Sequence, residues 1–332
     1  MASVNSLPPM DPDTAPIENK NDAAGVKKYG YKIVDRDLCG LNKFKYAIGK
    51  SSHENGPLSL CRNGLHFCVR ASDCYQYVSG YSRPLRFLRV CSIGDCESDG
   101  DKSATLALYV EAELTQDEWM VIIHAEATKS GDPHGLLRMA IELTDIKNVH
   151  HALATARDPS HADDALILAA EKGYIDAMEA AIKHGAKSFD PAYIVAARHD
   201  QSTAMELLLK RSEKRVTAFE DALNVAAQMG HVASVGLAIR HGAKSLDAAL
   251  SLAADGNHIE TMKLLIGRGS LRVGDFNWAL IVAADSGNFD AMKLLAASGA
   301  TNFEKEATRV ADGGGYSFED LEEISPAPGP DI

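Results

Sequence analysis

Cysteine is missing from the last two-thirds of this chain: all six residues lie between Cys39 and Cys96. The first 22 residues carry prolines and aspartates but no basic stretch followed by an apolar one, so no secretory leader is expected. The cysteines then read as reduced thiols in an intracellular, cytoplasmic protein. No apolar run reaches about 18 residues, which excludes a membrane-spanning helix. Cationic residues are scarce, 34 Lys plus Arg against 46 Asp plus Glu, for a net charge of −12. The deficit is concentrated in residues 116–332, with 20 basic against 32 acidic, whereas Val26–Thr115 has 13 against 10. An acidic surface cannot neutralise phosphates, so nucleic acid is excluded as the ligand of the second part. Gly-rich phosphate loops, nucleophile elbows and His-Glu-x-x-His are absent. The spacings Cys61-x6-Cys68, Cys68-x5-Cys74 and Cys91-x4-Cys96 lack the close Cys pairing of zinc sites. No catalytic, cofactor-binding or metal-ligating residue is therefore assigned, and no cofactor is expected.

What the sequence does contain is one sentence written five times. Ala-Leu-Ile-Leu-Ala-Ala-Glu-Lys-Gly-Tyr-Ile-Asp-Ala-Met starts at Ala165, and variants start at Ala192, Ala222, Ala249 and Ala279, at intervals of 27, 30, 27 and 30 residues. A fixed period of this size marks stacked supersecondary units, none of which buries its apolar face alone. Each unit predicts two helices. The first is built on Ala-Leu-x-(Leu/Val)-Ala-Ala, with the alanines allowing close approach. The second carries apolar residues at helical spacing, such as Ile175, Met178, Ala181 and Ile182. Gly173, Gly230 and Gly287 suit the intervening helix end; Asn257 fits there too, and Asp200 fits less well. Leu137–Leu153 reads as a degenerate first unit, and Phe303 to Ala311 as a closing one.

The repeats resemble the ankyrin repeat, best over Ala283–Leu295 closing at Gly299-Ala300. They depart from it in lacking the Thr-Pro-Leu-His opening and in being shorter than the usual period of about 33. The missing residues are those of the projecting hairpin finger. Such finger-poor units look like those of large DNA viruses and amoebal pathogens, which implies a host cytoplasm if the chain is viral. The resemblance implies a protein-protein interaction adaptor that binds a partner through the concave face of the solenoid. With the fingers trimmed, the partner-binding residues are expected just before each turn, at Glu171, Lys172, Arg198, His199, Gln228, Met229, Asp285 and Ser286. Trp278 joins them, since aromatics and Met are enriched at interface cores.

Ahead of the repeats, strands are expected at Tyr31–Val34, Phe44–Gly49, Leu65–Cys68 and Arg86–Ile93. Loops are expected at Ser51–Pro57 and Asp95–Lys102, and a strand or helix start at Ala104–Leu114. A short helix capped by Ser72 is expected over Ser72–Tyr77. Thr115-x-x-Glu118 is a capping box for a helix through Trp119, Val121, Ile122 and Ala125. The segments Tyr31-Lys32, Tyr46–Lys50, Cys61–Cys68, Val90–Asp95 and Glu113–Thr115 resemble an uncharacterised domain family of phage and other viral proteins. That resemblance implies no activity.

The fold class expected is multidomain: a small α+β domain followed by an all-α ankyrin-repeat solenoid. The divisions are a disordered tail over 1–25, the α+β domain over 26–118 and a linker helix over 119–136. The solenoid follows over 137–312, and a disordered acidic tail over 313–332. An alternative reading is enzymatic. Gly64–Phe67, then Asp73–Tyr77, then the Phe87–Ile93 strand are similar to the middle of ADP-ribosyltransferase-like domains. That resemblance implies Tyr75 or Tyr77 as a stacking ring and Glu111 or Glu113 as the late acid, but the early strand offers only Tyr31-Lys32 where a His or Arg is needed. A deep pocket gathering His66, Tyr75, Tyr77 and Glu113 would distinguish it.

Overall fold

The computed structural model describes residues 26–312 apart from 41, 42, 61, 62, 79, 80, 82, 131, 132, 157, 213 and 214. The tails expected over 1–25 and 313–332, and Cys61, lie outside the described residues. The chain forms two compact units that divide after Asp158.

In the first unit, β1 (Val26–Val34), β2 (Ser51–His53), β3 (Leu65–Cys68), β4 (Arg86–Ile93), β5 (Cys96–Asp99), β6 (Lys102–Thr105) and β7 (Ala107–Leu114) build one antiparallel sheet. Its order is β2-β7-β4-β1-β3-β6-β5, which puts β1 at the centre. Side chains alternate between faces along each strand. Opposite β4, Lys32 pairs with Leu88 and Gly30 with Val90, so these residues share a face with Val34. That face carries the core: Val34, Tyr46, Leu65, Phe67, Leu88, Val90, Leu108 and Val110 are all buried. Gly30 is required there, because a Cβ would lie 2.3 Å from the Cys68 carbonyl oxygen and 2.4 Å from the Phe67 ring.

The other face holds Tyr31, Ile33 and Phe87 and is covered by α1 (Gln116–Ser130). Trp119, fully buried, stacks on Phe87 at 4.8 Å and meets Tyr31 edge-on at 5.7 Å. The expected capping box starts this helix: the Thr115 N–H donates to Glu118 Oε2 at 2.8 Å and the Glu118 N–H to Thr115 Oγ1 at 3.2 Å. Its buried stripe is Trp119, Met120 and Ile123, whereas Val121 is 63% exposed. Packed on β4, β7 and the 3-10 helix Ala71–Tyr77, α1 belongs to the sheet unit, not to a free linker. Two further helices, α2 (His134–Glu142) and α3 (Ile146–Thr155), form a helix pair over Leu137–Leu153, but this pair falls in the sheet unit and not in the repeat unit in which it was expected.

Four local expectations are corrected. Phe44–Gly49 is not a strand: beyond a single bridge between Lys45 and Cys39 it coils back, and its aromatics fill the core from an irregular segment. The pairing edge beside β7 is taken by Ser51–His53, expected to be loop. Asp95–Lys102, also expected to be loop, is mostly the β5–β6 hairpin; β5 is a sheet edge, where polar Glu97-Ser98-Asp99 stays exposed and hides the strand pattern. Ser72 is not a helix cap, since the Glu126 carboxylate accepts the Ala71 and Ser72 N–H groups at 2.8 Å each.

The second unit is helical. Five inner helices, α4 (Ser160–Lys172), α6 (Phe189–Arg198), α8 (Phe219–Met229), α10 (Leu246–Asp255) and α12 (Val273–Asp285), pack each on the next. Their partners α5 (Ile175–Lys183), α7 (Ser202–Arg211), α9 (Val232–Arg240), α11 (Ile259–Ile266) and α13 (Phe289–Ala297) do the same in a parallel layer, and α14 (Phe303–Asp312) closes on α12. The paired alanines Ala169-Ala170, Ala196-Ala197, Ala226-Ala227 and Ala253-Ala254 have no exposed surface, as close helix approach requires.

Every turn from an inner to an outer helix holds one left-handed residue: Gly173, Asp200, Gly230, Asn257 and Gly287, with φ between 54° and 78°. Thr144 takes that conformation between α2 and α3. Asp200 therefore adopts the geometry despite its Cβ, and its carboxylate accepts a hydrogen bond from Ser234 of the next unit at 2.9 Å. Two more polar rows tie each unit to its neighbour. Asp163 accepts the Lys187 and Ser188 N–H groups, Asp190 those of Thr217 and Ala218, and Glu220 those of Lys244 and Ser245. These donors lie in the short linkers between an outer helix and the next inner helix. At the other end His231 and His258 each donate from Nε2 at 2.9 Å to Arg198 and Gln228 carbonyls of the preceding inner helix, satisfying orphan helix-end oxygens.

Candidate functional site

Two places stand out, one in each unit. The first is a cavity of about 320 Å³ on the core face of the sheet. Three of the five segments that carry the resemblance to an uncharacterised domain family contribute to it: Tyr31 and Lys32 from β1, Tyr46 from the irregular segment, and Gly64, His66, Phe67 and Cys68 at β3. Cys74 and Tyr77 come from the 3-10 helix, where Tyr77 was a candidate stacking ring of the enzymatic alternative, and Glu54, Tyr81 and Lys102 arrive from segments in which no site was legible.

Lys32 is the anomaly of this unit. It occupies an inward position on the central strand, where its neighbours on the same face are Leu88 and Val34. Its ammonium donates to the His66 carbonyl at 2.6 Å and stands 4.9 Å from the centre of the Tyr46 ring. No carboxylate pairs with it among the described residues. Burial lowers its pKa to about 8, and the nearby Lys102 ammonium works in the same direction. Lys102 in turn lies 5.8 Å from the Tyr77 ring.

The remaining polar groups are held in place. Glu54 accepts the Gly64 N–H at 2.9 Å. The His66 ring bonds the Leu60 carbonyl through Nε2, so that nitrogen carries the proton, and burial lowers the ring's pKa. Burial, with Asp101 nearby, pushes the Tyr77 hydroxyl up to about 12, and burial also raises Tyr46. The Cys74 thiol is pushed well up, by burial first and then by its hydrogen bond with Cys68. It is a poor nucleophile.

The four residues expected to meet in an ADP-ribosyltransferase-like pocket do not meet. His66 and Tyr77 line the cavity. Tyr75 instead faces His134 at 5.9 Å and Arg138 at 5.2 Å. Glu113 forms a two-pronged ion pair with Arg86 at 2.6 and 2.7 Å, and Glu111 pairs with Arg89 at 2.7 Å. Among the described residues, no three His, Cys, Asp or Glu side chains gather as a metal site.

The second place is the open face of the inner helices. Arg198, His199, Gln228 and Met229 are exposed at the ends of α6 and α8, with Met229 49% exposed. Glu171 and Lys172, at the end of α4, lie 3.5 Å apart as a partly exposed pair. Asp285 and Ser286 are exposed but engaged: Asp285 pairs with Arg309 at 2.6 Å, and Ser286 donates to Asp255 at 2.5 Å. Trp278 is 61% exposed seven residues before Asp285, two turns away on the same side of α12.

Between these ends runs a row the turn-centred reading passed over. Leu168, Val195, Val225, Leu252 and Val282 occupy the same position in successive inner helices, and all five are half-buried. The signal was present in the repeat, whose (Leu/Val) position stays apolar although the Leu and Ala positions already fill the core.

Residues 28–122 match the model of a family described as a domain of unknown function (DUF7666). Comparison with curated proteins finds no match. The N-terminal sheet domain is thus similar to an uncharacterised family, and the helical unit from Pro159 onward lies outside that match.

Proposed function

We propose that the helical unit is an ankyrin-like solenoid of the short, finger-poor type and that the chain is an adaptor binding a protein partner through its inner-helix face. The observation that carries this reading is the apolar row Leu168, Val195, Val225, Leu252 and Val282, bordered by exposed Met229 and Trp278. Half-buried positions beside a core already filled by the Leu and Ala positions need not be aliphatic in five successive units. A binding face favours apolar residues there, because interface cores are depleted of charge and enriched in Met and aromatics.

Acidic groups flank the start of the row, where Asp164 and Asp221 are exposed, while at its end Asp255 stands with exposed Lys172 and Arg198 and Asp285 is paired with Arg309. The complementary partner surface is apolar along its centre and basic at the margin that meets the helix starts. Recognition would be rigid. The row is fixed by stacked helices and by the Asp163, Asp190 and Glu220 bridges, so little conformational entropy is lost on binding. A viral source, a host-factor partner and a cytoplasmic setting belong to the proposal through the resemblance of the short repeats alone.

A photo-crosslinking residue placed at Met229 or Trp278 of the full chain should capture the partner, while one at Glu206 on the outer layer should not. Equal capture from Glu206, or capture from Glu206 only, would contradict the assignment.

A further inference from the structure

The cavity on the sheet's core face has features that folding alone does not call for. An aliphatic residue at position 32 would complete the face shared by Val34, Leu88 and Val90. The chain instead places an ammonium there, without a carboxylate partner among the described residues and with a second ammonium, Lys102, lining the same space. Four lining residues bring aromatic rings to it, Tyr46, Phe67, Tyr77 and Tyr81, whereas the ring of Tyr31 packs on Trp119 at the other face of the sheet. Glu54 is the one acid on the wall, and it already accepts the Gly64 N–H.

We propose that this cavity binds a small aromatic anion, its acidic group taken by the Lys32 ammonium and its ring held against the tyrosine wall. The charge argument sets the sign of the ligand. An inward lysine bonded to one carbonyl keeps two of its three N–H donors for a further acceptor, and an anion would relieve both its desolvation and the repulsion from Lys102. The volume sets the size. About 320 Å³ is at the small end of ligand pockets, with room for one substituted ring but not a dinucleotide. The wall sets the shape, since a planar ring can stack or meet edges with the tyrosines where a bulky aliphatic group cannot. Carboxylate and phosphate satisfy this chemistry equally, and the probes below separate them.

Calorimetric titration of the full chain at neutral pH would use benzoate, phenyl phosphate, cyclohexanecarboxylate and inorganic phosphate as probes. Saturable binding of benzoate or phenyl phosphate is expected, severalfold tighter than that of the ringless or non-aromatic counterpart. Lys32→Met should weaken it at least tenfold. A second variant, Lys102→Met, should weaken it by a smaller factor and guards against a folding defect in the first. The proposal fails if neither aromatic probe binds at up to about 10 mM. It also fails if inorganic phosphate matches phenyl phosphate, or if both lysine variants bind as the wild type does.

Discussion

Replacing Lys32 by Met should make the sheet unit more stable at neutral pH, and the gain should vanish in alkali. Burial lowers the Lys32 pKa from 10.5 to about 8. At about 1.4 kcal/mol per pH unit, holding the ammonium charged below pH 8 costs roughly 3 kcal/mol. Against this stand the hydrogen bond to the His66 carbonyl and the contact with the Tyr46 ring, together about 1–2 kcal/mol, which methionine loses. The net expectation is a variant about 1–2 kcal/mol more stable at pH 7. Between about pH 8 and 10.5 the unfolded chain holds a proton on Lys32 that the native state has released, so this group's contribution to stability rises with pH across that window.

Cys74 and Cys91, whose thiols are pushed up by burial, act in the opposite sense over an overlapping range. The Cys91 contribution cancels in the difference between wild type and variant, whereas that of Cys74, whose pKa the Lys32 ammonium lowers, changes with the substitution. With Trp278 changed to Phe in both proteins, Trp119 is the one remaining tryptophan, and its fluorescence follows urea unfolding of the sheet unit. A variant less stable than wild type at pH 7, or a difference independent of pH, would refute the reasoning.

Four other outcomes follow from the packing. Asp190→Ala removes the acceptor of the Thr217 and Ala218 N–H groups and should lower the helical unit's stability by about 1–3 kcal/mol, seen as a lower Tm by circular dichroism. Gly230→Ala forces a Cβ into a backbone with φ of 78° and within 2.5 Å of His258 Nδ1; it should cost at least about 1–2 kcal/mol. Gly242→Ala, with φ of 118° and open space around it, should cost the backbone strain alone. Iodoacetamide followed by peptide mapping of the native chain should alkylate half-buried Cys39 and Cys96 well before Cys74 and Cys91, which burial holds as thiols.

The repeats were legible because their period, paired alanines and turn glycines each state the same geometry. Even Asp200, the poorest match, adopts the left-handed turn, held by Ser234. The polar rows tying unit to unit were not legible, since Asp163 and Glu220 look like ordinary solvent-facing acids until the shortened linker brings backbone N–H groups to them. In the sheet unit, β1, β3 and β4 were readable from apolar alternation. The edge strand β5 was not, because an edge stays polar, and Tyr46 sits in the core without belonging to a strand.

The candidate sites show the same division. Tyr31-Lys32 and Gly64–Cys68 could be quoted as motifs, but their convergence on one cavity depends on strand register. Lys32 was hidden because a lysine on a short strand reads as solvent-facing. On the helical unit, attention to the turns passed over the aliphatic row at Val225 and Leu252, which looks like core in a single repeat and becomes a surface feature only when five are stacked.

The claim that this row is the recognition face is tested most directly by quantitative affinity capture with the full chain and a Val225→Glu, Leu252→Glu double variant, alongside Glu206→Ala as a control on the outer layer. The account predicts that the double variant keeps its helical content and loses the partner recovered by both wild type and control. Recovery of the same partner in equal amount by the double variant would contradict it.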